Sequence, residues 1–197
     1  MSTLTQLMNG YGSDKGNGSH NYTEYYEKLF AHCKHDIRAV FELGIGTNNP
    51  YLPSNMGIDG KPGASLRGFR DYFVNAEIYG ADIDRDILFK EPRIQTYYCD
   101  QRSKDDILTM WNQINTEFDV IIDDGLHEFQ ANLSFLIHSF PFLKRGGFYI
   151  VEDIDNNNYP YWCEFVETYK QNYDDIYLYK IPNDRNDWDN TLLIIRK

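Results

Sequence analysis

Four ionisable side chains follow two apolar segments in the second half of the chain. The segment VII precedes Asp124 and His127, and the segment FYIV precedes Glu152 and Asp153. Buried strands of open α/β sheets place the residues that follow them at one edge, where such folds build their sites. Carboxylates together with a histidine can bind a hard divalent cation and accept a proton near neutral pH. We therefore predict an enzyme.

Three earlier segments that we predict to be strands also carry an acidic residue at or near their ends. Glu42 belongs to the motif ELGIG, in which Gly44 lets the backbone approach a ligand closely. Asp82 is placed to accept hydrogen bonds from a ribose diol, and Asp100 is placed to accept a hydrogen bond from the exocyclic amine of adenine. The dinucleotide fingerprint requires a third glycine where this chain has Asn49. These residues leave an adenosyl site and a dinucleotide site open.

Helical and strand-like hydrophobic periods alternate along the chain, which predicts a mostly parallel sheet with an antiparallel hairpin at one edge. A Gly146-Gly147 turn is expected before the strand FYIV. The predicted helices cover residues 22–33, 65–73, 104–114, 128–143 and 161–169, and the predicted strands cover residues 39–43, 77–83, 94–99, 119–123, 148–151, 175–181 and 191–196.

Composition narrows the choice of partners. The chain has 197 residues and a formal net charge of -11, which disfavours nucleic acid and anionic membranes as partners. Its start has neither the basic residues nor the apolar stretch of a secretory signal, so we expect a cytoplasmic protein. The 3 cysteines form no C-x-x-C pair, which argues against structural zinc and disulfides. Aromatic residues make up 16%, and we expect some of them to serve an interface such as that of a homodimer.

Several motifs together resemble those of a known family. ELGIG, GASLRGFRDYF, IYGADID and CDQ follow one another as in class I S-adenosylmethionine-dependent methyltransferases. More narrowly, GASLR, IIDDGLHE and GGFYIVEDI are similar to motifs of the metal-dependent sugar O-methyltransferases of macrolide biosynthesis, the mycinamicin VI methyltransferase group, and of the related cephalosporin-hydroxylase-type proteins. The leading segment YGSDKGNGSHNYTEYYEKLF is similar to the lead of the same group.

This resemblance implies a fold and a catalytic set. The fold is α/β and Rossmann-like, with a seven-stranded, mostly parallel sheet that has one antiparallel edge strand and helices on both faces. The implied cofactors are S-adenosylmethionine and a divalent metal, Mg²⁺ or Mn²⁺. Asp124, Glu152 and Asp153 are the implied metal ligands, and His127 is the implied general base, with Asp124 beside it in catalysis.

The expected cofactor contacts come from several parts of the chain. Lys15 and Tyr22 are placed where they could reach the carboxylate of the cofactor or the acceptor, and the loop 49–62 is expected to recognise the acceptor. We expect Tyr22, Tyr25 and Tyr26 to pack in the core, and the remaining histidines, His20, His32, His35 and His138, to be structural. The expected cofactor-binding residues are Lys15, Glu42, Gly44, Ser65, Asp82, Asp100, Gln101 and Asp123.

The resulting hypothesis is an O-methyltransferase that acts on a small polar acceptor such as a sugar. One methyltransferase domain is expected over residues 1–197, with residues 1–36 as a helical lead over the site. The alternatives are transfer to a nitrogen or phosphoryl-linked acceptor, an NAD-dependent oxidoreductase on a Rossmann sheet, and a non-enzyme: a cofactor-binding protein that has lost turnover, or a partner-binding subunit.

Overall fold

The computed structural model describes residues 2–197, so Met1 of the predicted lead lies outside the described residues. Helices and strands alternate as the sequence predicts, and none of the helices within residues 2–197 has the length and hydrophobicity that a membrane crossing requires. The helices are α1 (Leu4–Tyr11), α2 (Tyr22–Phe30), α3 (Ala64–Tyr72), α4 (Lys104–Ile114), α5 (Phe129–Ser139) and α6 (Tyr159–Tyr169). The strands are β1 (Ala39–Leu43), β2 (Glu77–Asp82), β3 (Lys90–Glu91), β4 (Ile94–Tyr98), β5 (Phe118–Asp123), β6 (Leu143–Val151), β7 (Asp175–Lys180) and β8 (Thr191–Arg196).

All the strands belong to one 8-stranded sheet in the order β3-β4-β2-β1-β5-β6-β8-β7. The central strands β4, β2, β1, β5 and β6 are parallel, which confirms the α/β prediction. The eighth strand is β3, a two-residue strand too short to give a hydrophobic pattern. The antiparallel strand β8 pairs with both β6 and β7, so it lies one place inside the edge.

The register of the central strands determines which residues meet at the carboxyl edge. Leu43 of β1 pairs with Asp123 of β5, and Asp123 pairs with Val151 of β6. The backbone N–H of Asp124 donates to the carbonyl of Leu43 at 2.9 Å, and that of Glu152 donates to the carbonyl of Asp123 at 2.9 Å. The residues that follow the three strands therefore stand side by side.

The two faces of the sheet are covered by different parts of the chain. On one face, residues of α1, α2 and α3 form a buried cluster with side chains of the sheet. On the other face, residues of α4, α5 and α6 do so, with Trp111 and Trp162 fully buried. The N-terminal lead is therefore part of the core, and α1 is a helix that the sequence analysis did not predict.

Most boundaries agree with the predictions to within one or two residues, and the larger differences are at the ends of α2 and of α5, which stops at Ser139, and at the start of β6. The helix predicted to reach Cys33 ends at Phe30 and is followed by turns. The predicted turn at Gly146-Gly147 is instead part of β6, because both glycines pair with the C-terminal residue: the N–H of Gly146 donates to the carbonyl of Lys197, and the N–H of Lys197 donates to the carbonyl of Gly147.

Phe41 of β1 lies at the centre of the second cluster and should be important for stability. It is fully buried, and its ring centroid lies 4.6 Å from that of Trp111 and 6.0 Å from that of Phe135. We expect Phe41→Ala to lower the free energy of unfolding by about 3–5 kcal/mol, measured by urea denaturation. Ile137→Ala, at a side chain that is 58% exposed, is the matched control and should change it by less than about 0.5 kcal/mol. Equal losses would contradict this view of the core.

Candidate active site

The turn after β1 brings two strand ends into contact through a glycine. Gly44 has a φ of 80°, and its N–H donates to the carbonyl of Ala81 at 2.8 Å. A Cβ at this position would lie 1.8 Å from the carbonyl oxygen of Asp124. Only glycine allows this approach, so the predicted importance of Gly44 has a steric cause.

Asp82, at the end of β2, holds the ELGIG turn. Its Oδ2 accepts from the N–H of Ile45 at 2.9 Å, and its Oδ1 accepts from the N–H of Asp84 at 2.9 Å. Burial raises the pKa of Asp82, although these backbone N–H groups oppose the rise. Asp100 is more exposed and pairs with Arg102 at 3.0 Å, and the hydrogen bond from Arg102 lowers the pKa of its carboxyl.

Gln101 and Asp123 form a buried link between β4 and β5. The amide nitrogen of Gln101 donates to both oxygens of Asp123, at 2.8 and 2.9 Å, and its carbonyl oxygen accepts from the N–H of Leu126 at 2.7 Å. Burial raises the pKa of Asp123 to about 7. Asp123 is fully buried, so these contacts hold the segment that carries Asp124 and His127.

Lys15 of the N-terminal lead reaches into a cluster of acids. Its side chain is almost fully buried, and its Nζ donates to Asp124 and Glu152 and lies 3.3 Å from Oε1 of Glu42. Burial alone would lower the pKa of Lys15, but the charges of Asp124, Glu152 and Glu42 outweigh it and raise the pKa well above its usual value. We call Glu42, Asp124, Glu152 and Asp153 the carboxylate cluster.

His127 is the second cationic group of the site. Its Nε2 lies 3.1 Å from Oδ1 of Asp124 and 3.8 Å from Oδ2 of Asp153. Burial alone would lower the pKa of His127, but the hydrogen bond to Asp124 and the nearby carboxylates raise it to about 10. The imidazole is therefore protonated at neutral pH when only protein groups neutralise the site.

Two tyrosines of α2 hold two consecutive carboxylates. The hydroxyl of Tyr26 donates to Oε1 of Glu152, and that of Tyr22 donates to Oδ1 of Asp153 at 2.8 Å. The hydroxyl of Tyr22 also accepts from the N–H of Asp153 at 3.3 Å. The prediction that these tyrosines pack was therefore incomplete: their rings are buried, but their hydroxyls bind carboxylates of the site, a role that the sequence left open only for Tyr22 and toward the cofactor or acceptor. Tyr22 and Tyr26 are one helical turn apart, so they share one face of α2.

His20, which we expected to be structural, also lies against Asp153. Its Nδ1 is 3.1 Å from Oδ1 of Asn190, whose amide nitrogen donates to the carbonyl of Ile181 at 2.9 Å. That arrangement makes Oδ1 of Asn190 the acceptor and places the proton on Nδ1 of His20. The Nε2 of His20 then faces Oδ1 of Asp153 at 3.5 Å.

The charges of the site do not balance without further cations. Four carboxylates of the cluster face two cationic groups, Lys15 and His127, which leaves two negative charges. Burial raises the pKa of Glu42 to about 7 and that of Glu152 well above its usual value. Two protons or one divalent cation would make up the difference.

Asp124, His127 and Asp153 are the residues best placed to hold a metal ion. Each offers a ligand atom, and these atoms lie within 4.8 Å of one another. Glu152, the third predicted carboxylate ligand, is adjacent, but its two oxygens accept from Tyr26 and Lys15. His127 and Asp153 both have positive φ values, 61° and 52°, a strained backbone that neighbouring contacts hold in place.

One pocket of about 320 Å³ spans the whole site. We call the side with Asp82 and Asp100 the cofactor half, and the side with Asp124, His127 and Asp153 the metal half. Ser65, Asp82, Asp100 and Gln101 line it together with Asp124, His127 and Asp153. Lys15 and Gly44 also line it, whereas Glu42, Asp123 and Glu152 are fully buried behind its wall. Pro53, Ser54, Asn55 and Met56 of the predicted acceptor loop close one side.

The hydrogen bond from Tyr26 to Glu152 makes a testable contribution to stability. Tyr26→Phe removes the hydroxyl and leaves a buried carboxyl without one of its donors. We expect a loss of about 1.5–3 kcal/mol in the free energy of unfolding, measured by urea denaturation in EDTA. Tyr25→Phe is the matched control, because Tyr25 lies on the same helix and its ring centroid is 6.2 Å from that of Tyr179. This change should lower the free energy of unfolding by less than about 0.5 kcal/mol. Equal costs would show that Tyr26 only packs.

The raised pKa of His127 predicts a pH dependence. Its folded pKa of about 10 exceeds the unfolded value of about 6.5. The stabilisation by the imidazolium is therefore fully present below about pH 6.5 and is lost as the pH rises through about 10. We expect the difference in unfolding free energy between the unmodified protein and His127→Gln, measured in EDTA, to shrink from pH 6 to pH 10. A constant difference would contradict the imidazolium assignment.

Comparison with known proteins supports the family resemblance. The chain is 34% identical over 166 residues to the 8-demethyl-8-alpha-L-rhamnosyl tetracenomycin-C 2'-O-methyltransferase of Streptomyces olivaceus, over 84% of this chain and 40% of that protein. It is 29% identical over 151 residues to the mycinamicin VI 2''-O-methyltransferase of Micromonospora griseorubida, over 77% of this chain and 36% of that protein. No protein-family model matches the chain.

The fold matches that of a solved methyltransferase. The MycE methyltransferase from the mycinamycin biosynthetic pathway, solved in complex with Mg and SAH, superimposes with a TM-score of 0.77 at 22% identity, over 99% of this chain and 54% of that one. The chain spans 40% of the length of the tetracenomycin-C relative and 36% of that of the mycinamicin VI relative. The chain thus has the fold of class I methyltransferases, and its sequence is similar to those of sugar O-methyltransferases.

Proposed function

We propose that the chain is an S-adenosylmethionine-dependent, divalent-metal-assisted O-methyltransferase that methylates a hydroxyl of a sugar. The observation that carries this proposal is the continuity of the pocket. Asp82 and Asp100, which are expected to hold an adenosyl group, and His127, which is expected to remove a proton, open into the same space. The names of the curated relatives, which are sugar O-methyltransferases, support the same activity.

The cofactor half of the pocket fits an adenosyl group with an amino-acid tail. Asp82 and Asp100 line the pocket beyond the ends of neighbouring strands, and Gly44 keeps the turn free of a side chain. Oε1 of Glu42, buried behind this half, makes no hydrogen bond among the described residues and has only the ion pair with Lys15 at 3.3 Å, so it keeps acceptor capacity for a further N–H donor. When bound, S-adenosylmethionine supplies an electrophilic methyl group.

The metal half fits a hard divalent cation. Carboxylate oxygens are the ligands that Mg²⁺ and Mn²⁺ prefer, and we propose that Asp124 and Asp153 hold the ion, with Glu152 joining when Lys15 moves away. Such an ion supplies the two missing positive charges and lowers the pKa of a hydroxyl beside it. MycE, whose fold the chain shares, was solved with Mg and SAH.

His127 is the proposed general base. With a cation neutralising Asp124 and Asp153, the carboxylates attract the imidazolium less, and the pKa of His127 falls toward neutrality. Its Nε2 then accepts the proton of the acceptor hydroxyl, while the oxygen attacks the methyl carbon and the carbon–sulfur bond breaks. Tyr22 and Tyr26 keep Asp153 and Glu152 in place throughout.

We propose that the loop 49–62 selects the acceptor. Pro53, Ser54, Asn55 and Met56 face the pocket, and the hydroxyl of Ser54 donates to the carbonyl of Leu126 at 3.2 Å, next to His127. The net charge of -11 favours a small-molecule acceptor over nucleic acid, and a cytoplasmic location fits an enzyme that uses S-adenosylmethionine.

A labelled-methyl transfer assay tests the proposal. The protein is incubated with methyl-labelled S-adenosylmethionine and Mg²⁺ against a panel of rhamnosides, free sugars, nucleotide sugars, amines and phosphorylated metabolites. We expect transfer to a sugar hydroxyl that a chelator suppresses. His127→Ala should reduce kcat by about 10²- to 10⁴-fold, because it removes the base, while SAH binding measured by calorimetry is kept.

His138→Ala is the matched control, because His138 lies on α5 with its Nδ1 2.7 Å from the carbonyl of Ser134. This variant should transfer the methyl group at the rate of the unmodified protein. If His127→Ala and the unmodified protein transferred at the same rate, the assigned mechanism would be wrong. Failure to bind SAH with or without Mg²⁺ would overturn the proposed function itself.

A further inference from the structure

Lys15 connects the two halves of the proposed site. Its Nζ lies 3.3 Å from Oε1 of Glu42, a residue of β1 behind the cofactor half, and it donates to Asp124 and Glu152 in the metal half. The side chain also lines the pocket. One ammonium group thus stands between the places proposed for the cofactor and for the metal.

The backbone of Lys15 is held by hydrogen bonds, and the residue lines the pocket. Its carbonyl accepts from the N–H of Thr23 at 3.2 Å, and the neighbouring carbonyl of Asp14 accepts from the N–H of His20 at 3.1 Å. The first bond ties the segment to α2, and the second ties it to the residues just before that helix. The flexible four-carbon side chain can therefore redirect its ammonium group into the pocket without a change in the backbone.

A metal ion and Lys15 compete for the same carboxylates. Asp124 is both a direct partner of Lys15 and a member of the group that can hold a metal. A divalent cation there would repel the ammonium group and take over its role of neutralising Asp124 and Glu152. Lys15 would keep Glu42 and gain access to the pocket, where an anionic group could pair with it.

We propose that Lys15 couples metal binding to cofactor binding: a divalent cation displaces its ammonium group from Asp124 and Glu152, and the released ammonium group pairs with the carboxylate of the cofactor. This inference rests on the proposed function, which supplies both ligands. It makes Lys15 a positioning residue whose effect is a coupling free energy, and linkage requires the coupling to be reciprocal.

Calorimetry with SAH tests the coupling. The dissociation constant of SAH is measured in excess Mg²⁺ and in EDTA for the unmodified protein, Lys15→Met and Lys15→Gln. In the unmodified protein Mg²⁺ should tighten SAH binding by about fivefold or more, the lower end of typical couplings. In both variants the ratio should fall to about one, because no ammonium group is left to be released.

Lys61→Met is the matched control. Lys61 lines the same pocket but makes no ion pair within residues 2–197, so its loss removes one positive charge without touching the carboxylate cluster. It should weaken SAH binding equally with and without Mg²⁺ and keep the parent ratio. A ratio that fell equally in Lys61→Met would assign the coupling to general pocket charge and overturn the inference.

Two other results would overturn it while leaving the proposed function intact. One is SAH binding to the unmodified protein that does not depend on Mg²⁺, a measurement that needs no variant to fold. The other is a Lys15→Met or Lys15→Gln protein with the parent ratio, which would mean that the metal attracts the cofactor directly. If SAH bound under neither condition, the proposed function would fail together with the inference.

Discussion

The packing of four carboxyl groups into one poorly solvated place is the constraint on which the rest of the site depends. Such groups cannot all be ionised together unless cations or protons neutralise them. Lys15 and His127 supply two positive charges, and the raised pKa values of Glu42 and Glu152 show that these are not enough. Two protons or one divalent cation would supply the missing two charges, and the proposed chemistry uses the cation.

The N-terminal lead makes this concentration of acids structurally tolerable. Lys15 neutralises the cluster, while Tyr22 and Tyr26 each satisfy one of the two acids that follow β6. Because these tyrosines lie on a helix packed against the sheet, the contacts that hold the carboxylates are also part of the hydrophobic core. The same helix, α2, therefore contributes both to stability and to the geometry of the site. Tyr22 of this helix also holds Asp153 in its strained left-handed conformation.

The sequence predicted the sheet and the acids at its edge well, because both follow from simple patterns. Buried strands appear in the sequence as apolar segments, and β1 and β8 have the predicted bounds. The helix α4 also begins and ends at the residues that its hydrophobic periodicity predicts. The roles of Tyr22 and Tyr26 were missed because helical spacing looks the same whether a buried hydroxyl is idle or binds a carboxylate. His20 was missed because its partners, Asn190 and Asp153, are distant in the sequence. Whether Lys15 or a cation neutralises Glu152 is a matter of competing charges, which no local pattern encodes.

Anomalous diffraction from crystals grown with Mn²⁺ and SAH tests the central claim most directly, because it locates the cation proposed to neutralise the carboxylate cluster. The account predicts a manganese peak coordinated by Asp124 and Asp153, with the Nζ of Lys15 moved away from Asp124. A site without manganese in which Lys15 still bridged Asp124 and Glu152, or a peak bound only by residues outside the carboxylate cluster, would contradict it.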